Sequence, residues 1–125
     1  MDKPQIVTKD QLSQPPAEQT AGFARGEAFA HDGVWAGFSE FPGGATTGWH
    51  HHGDYATYAY ITDGSMVVEY ADEEAHVHAG DFVYIPAHLV HRESVPPSGG
   101  GGVVVRVGGE GPTTYNVEEG PAGRT

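Results

Sequence analysis

Three consecutive imidazoles, His50, His51 and His52, follow a glycine-rich segment and precede a run of β-forming residues, and His91 comes far downstream, after Gly80-Asp81 and Pro86. On an extended strand successive side chains alternate between faces, so His50 and His52 point one way and His51 the other. Two imidazoles on one face, joined by a third from another strand, can hold one side of a transition-metal ion. His50, His52 and His91 are therefore the candidate metal ligands. His51 is expected to face away from them. A second His-x-His pair, His76 and His78, flanks Val77. Val77 takes the inward apolar position there, so both of these histidines should face solvent.

The elements that must position these residues are strands. From Phe23 onward the chain consists of short apolar alternations separated by Gly, Asp-Gly and Pro signals. The pattern predicts strands over 23–30, 34–41, 45–52, 56–62, 65–70, 75–78, 82–86, 89–95, 102–107 and 113–117. Asp32-Gly33 and Asp63-Gly64 sit between them as hairpin turns do. No window shows a sustained helical period with caps. Pro96-Pro97-Ser98 and the glycines from Gly99 to Gly102 read as a mobile loop. Val103 to Val107 then returns as a strand apolar on nearly both faces, which calls for an interior place in a sheet. Many short strands at this spacing favour an all-β sandwich or barrel.

Residues 1–20, with three prolines and four glutamines, read as a flexible N-terminal arm, loose or packed across a partner's surface. Residues 21–120 form the barrel, and 121–125 a short tail. A chain of 125 residues suits one compact domain. With no cysteine, disulfides, thiolate zinc sites and cysteine nucleophiles are excluded. Histidine, carboxylate, hydroxyl and amide groups remain as ligands. A formal charge of -11, from 17 acidic and 6 basic residues, repels phosphate backbones and argues against a nucleic-acid partner. The first residues lack a signal-peptide pattern, and no apolar run approaches the roughly 18 residues of a membrane span. A soluble cytoplasmic protein is the expectation.

Residues 22–118 resemble the cupin superfamily in its small single-domain form. The first cupin motif, Gly-x5-His-x-His-x3/4-Glu-x6-Gly, is matched by Gly44, His50, His52 and Gly64, with Thr57 where the glutamate stands. The second, Gly-x5-Pro-x-Gly-x2-His-x3-Asn, is matched by Gly80, Pro86 and His91, with His88 at the second glycine and Val95 at the asparagine. The resemblance implies a double-stranded β-helix, or jelly-roll barrel, with His50, His52 and His91 as metal ligands. Thr57 cannot supply an anionic oxygen, so three neutral imidazoles leave the charge of a divalent ion unquenched. Asp54, Glu69 or Glu93 can replace the carboxylate, Glu93 because it shares alternation with His91, though each first reads as a solvated charge.

Thr57, Ala59 and Ile61 share the inward face, whereas Tyr58 and Tyr60 face outward. Many cupins carry larger residues at the first two positions. Either a roomier pocket lies beside the metal, or a bulky side chain such as Phe38 or Trp35 fills the gap. Arg106, among valines, needs a partner: a core carboxylate in the first instance, an acidic substrate in the second.

Three function classes follow. The first is an oxygenase using Fe(II) on a small organic substrate. The second is a non-redox isomerase, lyase or cyclase using Zn(II), Ni(II) or Mn(II), with His88 as general acid or base and Thr57 beside it as the other candidate catalytic residue. The third is a small-molecule-binding cupin without catalysis. Strands apolar on both faces lead to the expectation of a homodimer.

Overall fold

The computed structural model describes residues 3–14 and 23–124. Nine strands follow in order: β1 (Ala24–His31), β2 (Val34–Phe41), β3 (His50–His51), β4 (Ala56–Tyr70), β5 (Glu73–His78), β6 (Phe82–Ile85), β7 (His91–Ser94), β8 (Gly100–Val107) and β9 (Tyr115–Asn116). All pairings are antiparallel. One leaflet runs β1-β2-β8-β4-β6 and the other β5-β4-β7-β3-β9, so β4 belongs to both. This is a curled all-β half-barrel of the jelly-roll kind. Among the described residues, no helix is long and apolar enough to cross a membrane.

The Asp32-Gly33 turn forms as the residue types demand. Both residues have positive φ, 54° and 74°, which suits a two-residue hairpin between twisted strands. Asp63-Gly64 is a different matter. It is no hairpin but an irregularity inside the continuous strand β4, whose pairing with β8 shifts between Ile61 and Asp63. Thr57 and Ile61 are buried before it and Met66 and Val68 after it, so inward residues change from odd to even numbers across the shift. An extra residue at a bulge mimics the break between two strands. The true hairpin comes at Ala71, which takes φ 46° between β4 and β5.

The glycine run is likewise not all loop. Gly100, Gly101 and Gly102 open β8, and a Cβ at Gly102 would meet the Tyr60 carbonyl oxygen at 2.6 Å. Glycine is needed where β8 and β4 approach this closely. Of the predicted strand over 45–52 only His50–His51 is regular, with Thr46 in an isolated bridge to Ser94. Of residues 1–20, the described part holds one 3-10 turn at Lys9–Gln11 and a bridge from Ser13 to Glu27 on β1; residues 15–20 lie outside the described set. At the other end, Arg124 of the tail pairs with Glu69 at 2.6 Å.

As an interior strand should, β8 lies between β2 and β4. Its two faces differ. Inward, one cross-strand row is Trp35, Arg106, Thr57 and Ile85. Outward, Phe38, Val103, Tyr60 and Phe82 form one row and Ala36, Val105, Tyr58 and Tyr84 the next. Phe82 is 83% exposed and Tyr84 57%. Phe23, Phe41, Ile61, Met66, Val68, Val77 and Val95 fill the space between the leaflets.

Candidate metal centre

The three predicted ligands meet. His50 on β3 and His91 on β7 are direct cross-strand partners, and both are fully buried. His52 follows β3 and is buried beside them, because Gly53, with φ 57°, turns the chain at once toward β4. Ring centroids lie 4.3 Å apart for His50 and His91, and 5.1 Å apart for His52 and either of them. One nitrogen from each ring lies within 4.8 Å of the others.

Backbone carbonyls set the tautomers. His50 Nδ1 donates to Gly48 O at 2.8 Å, His52 Nδ1 to Thr113 O at 2.6 Å and His91 Nδ1 to Leu89 O at 2.8 Å. A carbonyl only accepts, so each Nδ1 carries the proton and each Nε2 presents a lone pair. The Nε2 atoms of His50 and His91 are buried and make no hydrogen bond. Facing them is Glu93, whose Oε1 lies 2.9 Å from His91 Nε2 and 3.3 Å from His50 Nε2. Lone pairs and a carboxylate oxygen turned on one another repel unless a cation sits among them. The donor set therefore fits a metal held by His50, His52, His91 and Glu93, with carbonyl tethers of the kind metal-bound histidines have.

Burial pushes the Glu93 carboxyl up, while hydrogen bonding and charge from protonated His50 and His91 would hold it well below its usual range; a cation among three neutral rings acts on Glu93 in the same direction. Burial, the nearby Arg106 charge and the other two rings drive His52 far down, so it stays neutral and able to ligate.

Glu93 thus answers which carboxylate stands near the site. Asp54 turns outward to His88 Nε2 at 2.8 Å, and Glu69 is held by Arg92 and Arg124. His51 faces away, its ring stacked on Tyr115 at 5.2 Å, and His76 and His78 are exposed. His88 is placed apart from the trio, with a side chain 64% exposed. Its backbone keeps φ 65°, the conformation a glycine would take at that turn.

Thr57 does line the interior, its buried Oγ1 without a hydrogen-bond partner. The cavity there is about 30 Å³ and is bordered by His52, Ala59, Glu93, Arg25 and Arg106. The gap beside Thr57 and Ala59 is narrowed by Phe23, Phe41 and Met66 rather than by Phe38 or Trp35. Arg106 forms no ion pair with a carboxylate among the described residues, which corrects the expectation of a structural pairing in the core. Arg25 is buried too, although between Ala24 and Gly26 at the start of β1 its sequence setting carries no signal of that.

Comparison with known proteins agrees with the fold. The family model described as "Cupin domain" matches residues 37–96. No curated protein sequence matches. Among solved structures, the polyketide cyclase RemF from Streptomyces resistomycificus is similar with TM-score 0.74 and 17% identity, over 94% of this chain and 87% of that one. An RmlC-like cupin from Shewanella frigidimarina gives 0.69 and 19%, over 86% and 94%. An uncharacterized conserved protein with a double-stranded β-helix domain from Klebsiella pneumoniae gives 0.71 and 16%, over 94% and 100%.

Proposed function

The chain carries a cupin domain whose three histidines converge on one buried point, and from that premise we propose a divalent-metal-dependent enzyme, an oxygenase using Fe(II) on a small organic substrate in the cytoplasm. One observation carries the metal reading: carbonyl-tethered imidazoles whose free nitrogens face each other and Glu93. When bound, Fe(II) supplies Lewis acidity toward a substrate oxygen and a one-electron partner for dioxygen.

The chain's own part is to position and to exclude. The Gly48, Leu89 and Thr113 carbonyls hold the rings in one orientation. The Glu93 carboxylate offsets one unit of a divalent ion's charge. Phe41, Met66, Ile85 and Val104 give the cavity an apolar border. The Thr57 hydroxyl, unpartnered, is available to a substrate oxygen.

The test is elemental analysis of untagged protein, paired with oxygen uptake over a panel of small organic acids and enolisable ketones. Wild type should carry close to one metal per chain, and His50→Ala or His91→Ala should carry almost none. Oxygen uptake should vanish when iron is stripped and return with Fe(II). Uptake that is indifferent to iron would overturn the oxygenase.

A second reading, a non-redox isomerase, lyase or cyclase using Zn(II), Ni(II) or Mn(II), is favoured by the likeness to a polyketide cyclase. There Thr57, which lines the cavity, is the candidate catalytic side chain, since His88 is paired with Asp54 at the surface. Turnover under strict anaerobiosis with Zn(II) would select this reading over the first.

A further inference from the structure

Arg106 is 2% exposed on the central strand β8, and its Nε and Nη1 have no hydrogen-bond partner. Its cross-strand neighbour on β4 is Thr57, whose Oγ1 is also buried and unpartnered. Both side chains line the same interior cavity, next to His52. On the other side Trp35 is the cross-strand partner, with the guanidinium 5.5 Å from its ring centroid. Trp35 is itself held, its Nε1 donating to Glu27 at 2.7 Å. The guanidinium thus lies beside an aromatic ring, and its Nε and Nη1 donors are left unused.

Charge argues the same way. The cavity lining includes two guanidinium groups, Arg25 and Arg106, against one carboxylate, Glu93. A divalent ion at the histidines would widen that excess. A buried guanidinium with unpaired donors is costly, and a ligand that paired them would offset that cost. A guanidinium beside a hydroxyl suits a carboxylate, which accepts charge-assisted N–H bonds from the one and an O–H bond from the other. At about 30 Å³ the cavity accepts a group of roughly the size of two waters, which suits one carboxylate head.

We infer that Arg106 and Thr57 form a carboxylate-binding subsite inside the barrel, and that the substrate is a small organic acid whose remaining donor atom faces His50, His52 and His91. Which reaction follows rests on the metal reading above. The subsite itself does not need the metal.

The experiment is calorimetric titration of metal-free protein with pyruvate and with its uncharged analogue pyruvamide, together with thermal melting. Wild type should bind pyruvate at least tenfold more tightly than pyruvamide. Arg106→Met should lose at least tenfold in pyruvate affinity, and Thr57→Val a few-fold. Without acid, Arg106→Met should melt at or above wild type, because an apolar side chain replaces an uncompensated charge. Arg106→Lys, which keeps the charge without the fork, should bind pyruvate several-fold more weakly.

No pyruvate binding by wild type, equal binding of pyruvamide, wild-type affinity in the Arg106 variants, or a melting temperature for Arg106→Met far below wild type would each overturn the inference. Metal content, measured in parallel, separates the two readings. Bound metal with acid binding indifferent to Arg106 removes only this inference. Arg106-dependent acid binding without metal uptake removes only the metal reading.

Discussion

At the scale of single residues, the site rests on which nitrogen of each imidazole holds the proton. The carbonyls of Gly48, Leu89 and Thr113 decide it, and they belong to the backbone. Glu93 completes the set from the strand that carries His91. Glu93→Gln keeps the shape and removes the charge, and metal affinity should fall at least tenfold, about the lower end for a disturbed metal shell, as read by competition with a chelating dye. Unchanged affinity would remove Glu93 from the donor set. The trio itself was legible in the spacing, since His-x-His on a strand must share a face. Glu93 was legible only in part: its alternation with His91 was visible, but whether its carboxylate met the metal point or solvent depended on how β7 lies against β3. The carbonyl tethers left no trace in side-chain identity.

At the scale of elements, the ligands are held from behind by the outer side of the second leaflet. Arg92, next to His91, binds Glu69 through Nε at 2.8 Å and Nη2 at 3.0 Å and lies 4.4 Å from the ring of Trp49, the neighbour of His50. Arg124 also binds Glu69 and lies 5.5 Å from the Trp49 ring. Hydrogen bonding from Arg92 lowers the Glu69 pKa, burial opposes the shift, and the Arg92 and Arg124 charges add to it.

A depressed carboxylate contributes stability that is present above its unfolded value, about 4.3, and lost as pH falls through the folded value. Glu69→Gln should therefore cost about 1 kcal/mol near neutrality, a partly exposed network being screened. Denaturation curves of variant and wild type should converge between about pH 5 and about pH 3. A constant gap would mean that the charge is not what matters.

The strand β4 shows where sequence patterning runs out. Its two halves were each legible as strands, but the bulge reads as a turn because Asp-Gly serves both. The glycines of β8 read as loop in the sequence because close backbone approach leaves no side-chain signature. Gly102→Ala should destabilise the protein by about 1–3 kcal/mol, the cost of overpacking a closed contact, as measured by urea titration.

At the scale of the whole molecule, an apolar outer face stands against a chain charge of -11. The rows ending in Phe82 and Tyr84 contain no ionisable group except tyrosine. We propose that two copies cover this face in a homodimer. Like-charged copies repel, so association should strengthen as salt is raised. Phe82→Asp with Tyr84→Lys should yield a monomer in light scattering at concentrations where wild type is a dimer. A wild-type monomer would end the proposal.

The crossing of β4 between leaflets has one more consequence. A sandwich whose layers share no strand can open like a book, but here a single uninterrupted segment is stitched into both covers. Opening either cover must therefore disturb pairing along β4, and amide protons of this segment should be among the slowest in the chain to exchange.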